Sequence, residues 1–367
     1  MVKVLYVEPS GRLWGSERSL LSLLKQLNIQ QCQAVVCLPR RAPFIDELKP
    51  LGLPVFPWLP AKFQSHSFWY RSRALAGLTA AALATRAQLI HLNQAGFVRA
   101  AYLVARLLRC PLVIHVRLAQ DADLIGRRVK CWRRIVCITN SRFVGDELKK
   151  QGVPEDKIFN ITNPIEVTGR ISFEEPRRWQ MGFVGRLSRD KGIELFLHSC
   201  RRIIRARPQA KAVVVGSSGA KTADGRDYLE AMRDLARELG IADNVEFLGY
   251  RKDAPDLMRQ MEILVMASEA EPWGRVVAEA MVAGAAVVAT NAGGPREMIE
   301  HGVNGLLVPP GDVEEMTSAI LRLIENPEFA RKLAISGRQW VERECDPGLH
   351  AAKVAQVYQA LLVGNEL

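Results

Sequence analysis

Apolar positions along the chain fall into short β-branched runs, separated by stretches in which they recur every three or four residues. Val2–Val7 reads as a strand, and Ser16–Leu27 as a helix with Leu20, Leu23, Leu24 and Leu27 on one face. Val35–Leu38, Leu89–Leu92, Leu112–Val116 and Ile135–Thr139 are further strand-like runs with helical segments between them. This alternation predicts an open, parallel α/β sheet. Between Asn160 and Arg178 the pattern lapses into Asn, Pro, Glu and Arg, as expected of an interdomain linker. A second series follows at Met181–Val184, Ala212–Val215, Val245–Leu248, Ile263–Met266, Ala286–Ala289 and Gly305–Val308. The expected architecture is two successive doubly wound, Rossmann-like α/β domains, residues 1–165 and 166–345, followed by a helical segment over 346–367. Ligands of such sheets sit at the carboxyl ends of strands, and here also between the domains.

Composition narrows the class. The 367 residues suit two domains, and 48% apolar with 24% charged is the balance of a soluble globular chain. The longest mild apolar run, Ala74–Ala84, is interrupted by Gly77 and Thr79 and falls short of the roughly 20 residues a spanning helix needs. Met1–Val7 enters a strand directly, so no secretory leader is expected. The seven cysteines form no CxxC pair and read as reduced thiols of a cytoplasmic protein. The net charge of +11 is unevenly spread: residues 1–165 carry 24 basic and 10 acidic side chains, the remainder 26 and 29. A basic first half points to an anionic partner, whether nucleic acid, membrane surface or phosphorylated substrate, or simply to a solubilising surface.

The strand-end rule directs attention to three loops. Glu8-Pro9-Ser10-Gly11-Arg12-Leu13-Trp14-Gly15-Ser16 lacks the GxGxxG dinucleotide fingerprint but places glycine at a helix start. Gly185-Arg186-Leu187-Ser188-Arg189-Asp190-Lys191 sets two cations after a strand, where they can hold a diphosphate. In Ser268-Glu269-Ala270-Glu271-Pro272-Trp273-Gly274-Arg275-Val276-Val277-Ala278-Glu279, Gly274 opens a helix whose first amides, Gly274 to Val277, form an anion site. Glu271 and Glu279 flank it. A fitting ligand presents hydroxyls to the carboxylates and phosphate to the amides, as a nucleotide sugar does.

Five segments in order carry a resemblance: Gly185-Arg186 with Lys191, Phe247-Leu248-Gly249-Tyr250, Glu271-x7-Glu279, Thr290-Asn291-Ala292-Gly293-Gly294-Pro295-Arg296-Glu297, and Gly302-Val303-Asn304-Gly305-Leu306-Leu307-Val308-Pro309. Together, over roughly residues 180–312, they resemble family 4 of the retaining GT-B glycosyltransferases. The resemblance implies two domains facing each other across a cleft, an N-terminal acceptor domain, a C-terminal nucleotide-sugar domain, and a last helix that returns to the first domain. It implies that Arg186 and Lys191 neutralise the donor diphosphate, that Glu279 accepts ribose hydroxyls, and that Glu271 holds a hydroxyl of the transferred sugar. The backbone at Gly249, Tyr250 and Arg251 is expected at the base edge with Gly216 nearby, and Gly15 at the donor phosphates. His115 best matches a first-domain histidine that contacts the sugar. Trp273 and Arg275 depart from the commoner Phe and aliphatic residue; Arg275 adds a cation to the phosphate site or alters which sugar fits. The implied reaction is metal-independent, with no cofactor beyond the nucleotide-sugar co-substrate, a UDP-sugar being the expected donor.

Asp121-Ala122-Asp123 is a DxD triplet, read as a helix start and not as a metal site. The aromatic stretch from Phe56 to Arg73 ends in Arg71 and Arg73, and suits either a contact with an anionic membrane surface or packing under a loop. The expected function is sugar transfer from a nucleotide sugar to a glycan, lipid-linked or small-molecule hydroxyl acceptor, on the cytoplasmic side and in envelope glycan, polysaccharide or glycolipid assembly. The alternatives are a transferase acting on a small metabolite or natural product, a basic nucleic-acid-binding protein, and a nucleotide-sugar epimerase. Nucleic acid is not the expected partner, because it leaves Glu271 and Glu279 unexplained.

Overall fold

The computed structural model describes residues 2–27, 32–59, 68–130, 132–174, 176–219, 221–222, 225 and 227–363, the side chains of Phe68 and Arg127 apart. Two compact units result: residues 1–166 with 345–367, and residues 167–344. Among the described residues each unit is built on one parallel sheet.

In the first unit the strands are β1 (Val2–Val7), β2 (Cys32–Pro39), β3 (Val55–Leu59), β4 (Leu89–Leu92), β5 (Leu112–Val116), β6 (Ile135–Thr139) and β7 (Ile158–Asn160). They lie in the order β3-β2-β1-β4-β5-β6-β7. Side chains alternate across the sheet as the pleat requires. Leu5 and Val7 join Ile90, Leu112 and Ile114 in a core on one face, whereas Val4 and Tyr6 join Val113 and Ile138 on the other. That second face is covered by helix Gly15–Gln26 through Leu20, Leu23 and Leu24, and by the last helix, Pro347–Val363, through Val354, Val357 and Tyr358. β3 escapes the hydrophobic pattern because Pro57 interrupts it. As an edge strand it tolerates the missing N–H.

The second unit contains β8 (Trp179–Val184), β9 (Ala212–Val215), β10 (Val245–Gly249), β11 (Met261–Met266), β12 (Ala286–Thr290) and β13 (Leu306–Val308), in the order β10-β9-β8-β11-β12-β13. Central strands here are apolar on both faces, as a sheet sandwiched by helices demands. Helix Ile193–Ala206 buries Phe196, Leu197, Cys200 and Ile203 against it. Helix starts carry their own stops for the free amides: Asp227 accepts from Leu229 N–H and Glu230 N–H at 2.9 and 3.3 Å, and Asp312 from Glu314 N–H and Glu315 N–H at 2.9 and 3.0 Å. Among the described residues, no helix is long and apolar enough to cross a membrane. The middle of the aromatic stretch, residues 60–67, lies outside the described residues.

Candidate active site

In the second unit the strand order reverses between β8 and β11, where loops leaving neighbouring strands diverge and open a crevice. The loop after β8 supplies Lys191 and the loop after β11 supplies Glu271. Lys191 Nζ donates to Glu271 Oε2 at 2.6 Å, with the two side chains only 22% and 18% exposed. Ser268 Oγ donates to the same carboxylate oxygen at 3.5 Å. A half-buried pair of this kind is screened less than a surface one, and its geometry is worth holding.

The backbone holds it. Gly192 sits at φ +70°, and a Cβ there would collide with the Ala267 carbonyl, so the β8 loop lies flush against the end of β11. Glu269 N–H donates to Asp190 O at 3.2 Å, and Ser188 Oγ to Asp190 Oδ1 at 2.5 Å. From the other side Gly294 N–H donates to Glu271 O at 2.8 Å, and Thr290 Oγ1 to Ser268 O at 2.5 Å. Gly293, at φ +65°, crosses so close over the Glu271 carbonyl that no side chain fits. The twin glycines of the 290–297 segment are thus there to let one backbone cross another.

Helix Arg275–Ala283 begins beside this pair, with Gly274 at φ +93° as its first cap and its Cα within side-chain reach of Glu271. The expected row of amides is shorter than the sequence suggested. Val277 is buried and its N–H already donates to Gly274 O at 2.9 Å, so Val277 belongs to the core and not to an anion site. The helix start proper is left to Gly274, Arg275 and Val276. One turn on, Arg275 Nε donates to Glu279 Oε1 at 2.8 Å. A carboxylate has room for about four donors, so this one bond does not by itself fill Glu279. Arg186 is exposed and pairs with Asp190 at 3.3 Å.

Three glycines stand abreast at the ends of β8, β9 and β10. Gly185 N–H donates to Val215 O at 3.0 Å and Gly216 N–H to Gly249 O at 2.8 Å, and a Cβ on Gly216 would strike the Gly185 carbonyl. Tyr250 follows on the sheet edge, 62% exposed, and Arg251 is held by Asp253 through two bonds of 2.8 and 2.5 Å. The structure therefore brings Lys191, Glu271, Gly274, Arg275, Val276 and Glu279 together, with Arg186 on the same loop as Lys191 and Gly216, Tyr250 and Arg251 along the same carboxyl edge.

Gly15 and His115 belong to the first unit, and there the structure differs from the expectation for His115. It is 1% exposed and stacks on His350 of the last helix at 6.3 Å between ring centres, with the His91 ring at 5.7 Å. Burial, then the Arg117 charge, holds its imidazole well below the usual histidine range. The ring is enclosed by other side chains, while its Nε2 has no hydrogen-bond partner among the described residues. The same two causes, in the same order, push His91 down to about 3. Burial also lowers His350 to about 4, against the Thr162 carbonyl that its Nδ1 meets at 2.8 Å.

What the sequence missed lies around Gly15. The first unit also reverses strand order, between β1 and β4, and Glu8 after β1 accepts from Asn93 Nδ2 after β4 at 2.6 Å. Ser10 N–H and Gln94 Nε2 donate to the other Glu8 oxygen at 2.8 and 3.0 Å. Glu17 reaches back to Trp14 N–H at 3.1 Å, receives Gln94 Nε2 at 2.9 Å and hydrogen-bonds Ser10 Oγ. Burial, then the neighbouring Glu17 charge, raises Glu8 to about 7. Gly11 in this loop sits at φ +61° and is pressed on Ala42. A carboxylate three residues into a helix is a capping signal the sequence did carry. Asp121 closes a 3-10 turn and Asp123 lies in the first turn of the next helix, Ala122–Lys130. Among the described residues no three His, Cys, Asp or Glu side chains are grouped to hold a metal ion.

Comparison with known proteins bears on the family. Residues 168–340 match the family model described as Glycosyl transferases group 1, and residues 14–168 match Glycosyltransferase Family 4. An uncharacterized glycosyltransferase of Methanocaldococcus jannaschii is 32% identical over 56% of this chain and 55% of its own length. A D-inositol 3-phosphate glycosyltransferase of Corynebacterium jeikeium is 37% identical over 39% of this chain and 35% of its own. The matched stretch thus spans about half, or less, of these curated relatives. The fold is shared with Anabaena HepE, solved in complex with UDP and glucose, at a TM-score of 0.82 and 24% identity over 98% of this chain and 100% of that one. Two doubly wound sheets and two adjoining family matches that together run from residue 14 to residue 340 lead to one conclusion: the chain belongs to the GT-B glycosyltransferases of the group 1 and family 4 type.

Proposed function

We propose that the protein transfers a sugar, with retained configuration, from a UDP-sugar to a hydroxyl acceptor in cell-envelope glycan, polysaccharide or glycolipid assembly. The observation that carries the reading is the Lys191–Glu271 pair at the strand-order reversal, beside the glycine-led start of helix Arg275–Ala283. Its presence at this position fits a donor whose diphosphate takes the cation and helix start while sugar hydroxyls take the carboxylate. HepE, of like fold, was solved with UDP and glucose, which makes uracil the first base to test.

The chemistry follows from charge. Breaking the bond between the anomeric carbon and the β-phosphate oxygen places negative charge on the phosphate and positive charge on the sugar. Lys191, Arg186 and the amides at Gly274–Val276 favour the first, and the Glu271 carboxylate the second. An acceptor hydroxyl entering on the departing face forms the new C–O bond and gives its proton to the leaving phosphate, so no separate base is required. Donor binding draws Lys191 towards phosphate and frees Glu271 for a sugar hydroxyl. Glu279 then meets the ribose, with Arg275 holding its second oxygen. Peripheral attachment to an anionic membrane on the cytoplasmic face, metal-independence and an acceptor-binding role for the first unit are parts of the same proposal.

Thermal unfolding in the presence of nucleotides tests it. A ligand at about 100 times its Kd stabilises a folded protein by about 2.7 kcal/mol, several degrees for a unit of this size. UDP and UDP-sugars are expected to raise the midpoint while uridine alone does not; equal inertness of UDP, GDP and ADP sugars would refute the donor assignment.

A further inference from the structure

Two adjacent helices of the first unit turn apolar and basic residues outward, and no acidic ones. Helices Phe68–Thr85 and Val98–Leu107 pack against each other and cover the same side of the sheet through Ala74, Leu78, Ala81, Ala101 and Val104. Their opposite sides therefore look outward together. On the first, Trp69, Arg73, Ala76, Ala80 and Leu83 recur at intervals of three or four residues, all exposed, as one stripe. On the second the matching stripe is Arg99, Leu103, Arg106 and Leu107, with Leu107 74% exposed. A surface helix ordinarily turns its polar side to water. Here leucine, alanine and tryptophan stand there, interleaved with guanidinium groups, and Arg106 lies over the Tyr102 ring at 5.8 Å. Between Glu47 and Asp121 the chain has no carboxylate at all and nine lysines and arginines.

We propose that this two-helix face lies on an anionic lipid bilayer, its leucines and Trp69 entering the headgroup boundary and Arg73, Arg99 and Arg106 meeting lipid phosphates. The proposal rests on the envelope-assembly reading above and deepens it by assigning the surface that carries the enzyme to a membrane-held acceptor. Apolar side chains that enter the headgroup boundary and guanidinium groups that meet lipid phosphate are the two contributions that hold a peripheral surface on an anionic bilayer, and neither helix is long and apolar enough to span. Charge complementarity selects the lipid over a second copy of the chain, because a twofold contact through this face would bring its arginines together with no acid to receive them.

Flotation of the full chain with vesicles tests the assignment. Binding is expected to vesicles of phosphatidylcholine with phosphatidylglycerol, to fall steeply with salt, and to be weak on phosphatidylcholine alone. Each arginine near an anionic surface is worth about fivefold in partitioning, so Arg99→Gln with Arg106→Gln should cost about 25-fold. Leu103→Glu with Leu107→Glu should abolish flotation, while the UDP-induced thermal shift of both variants stays at the wild-type value, showing that they fold. Wild-type protein left unfloated at low salt, flotation indifferent to the leucine variants, or a dimer in light scattering that Leu107→Glu dissolves would each overturn it. A missing UDP shift beside intact flotation sinks the donor reading and leaves this one standing.

Discussion

At the scale of single residues, the site is a question of which charge faces which. Lys191 and Glu271 neutralise each other before any ligand arrives, so each has a separable role. Lys191→Met is expected to raise the KM for donor and lower kcat, whereas Glu271→Gln should leave UDP binding intact and lower kcat by about two to three orders of magnitude, as for loss of one preorganised electrostatic group. Steady-state kinetics on both variants separates these outcomes, and unchanged turnover in Glu271→Gln contradicts its role. Histidine makes the opposite case. The strand-end position of His115 was legible in the sequence, but its enclosure was not, because the covering ring, His350, lies more than two hundred residues further along the chain. A histidine whose folded pKa is depressed contributes stability that is complete above its unfolded value, about 6.5, and is lost as pH falls towards the folded value, about 4 for His350. The stability advantage of wild type over His350→Gln should therefore shrink by about 1.5 kcal/mol between pH 6.5 and pH 5 in urea denaturation. A pH-independent difference would show that His350 is not held neutral.

Elements tell a different story about legibility. Runs such as Leu89–Leu92, Leu112–Val116 and Ile135–Thr139 coincide with β4, β5 and β6, since a strand buried on both faces announces itself by composition. β3 was hidden by Pro57 and β7 by its brevity, three residues with a polar end. The glycine motifs could be noticed as spacings, but their reason appears only in the fold, where Gly192 and Gly293 let loops cross the β11 carboxyl end. Val277 shows the converse limit: the motif marks a helix start, while the hydrogen bond back to Gly274 decides which amides remain. Gly192→Ala and Gly240→Ala give a matched test, for both residues sit at φ +70° and only Gly192 has a carbonyl in the way. Gly240→Ala should cost about 1 kcal/mol of backbone strain. Gly192→Ala should cost about 1–3 kcal/mol more and also diminish the UDP shift. Equal losses in calorimetry would mean the loops are not clamped.

For the whole molecule, the decisive feature is that the chain leaves the first unit after Glu166, builds the second, and comes back at Cys345. The returning helix lays Val354, Val357 and Tyr358 on the sheet, and the Tyr358 hydroxyl meets both Tyr6, at 3.0 Å, and His91, at 2.5 Å. Deleting residues 345–367 uncovers that face. Hydrogen exchange should then show β1 and β4 losing protection while β8 and β11 keep theirs, and uniform protection in both units would contradict the division. Domains emerging from the ribosome usually fold in order, first half first. In this chain residues 167–344 form an uninterrupted unit, but β1, made before them, waits for its lid until residues 345–363 have followed. The unit begun before the other is thus completed after it, and while residues 167–344 are being made its tyrosine- and histidine-lined flank stands without the helix that covers it in the folded chain.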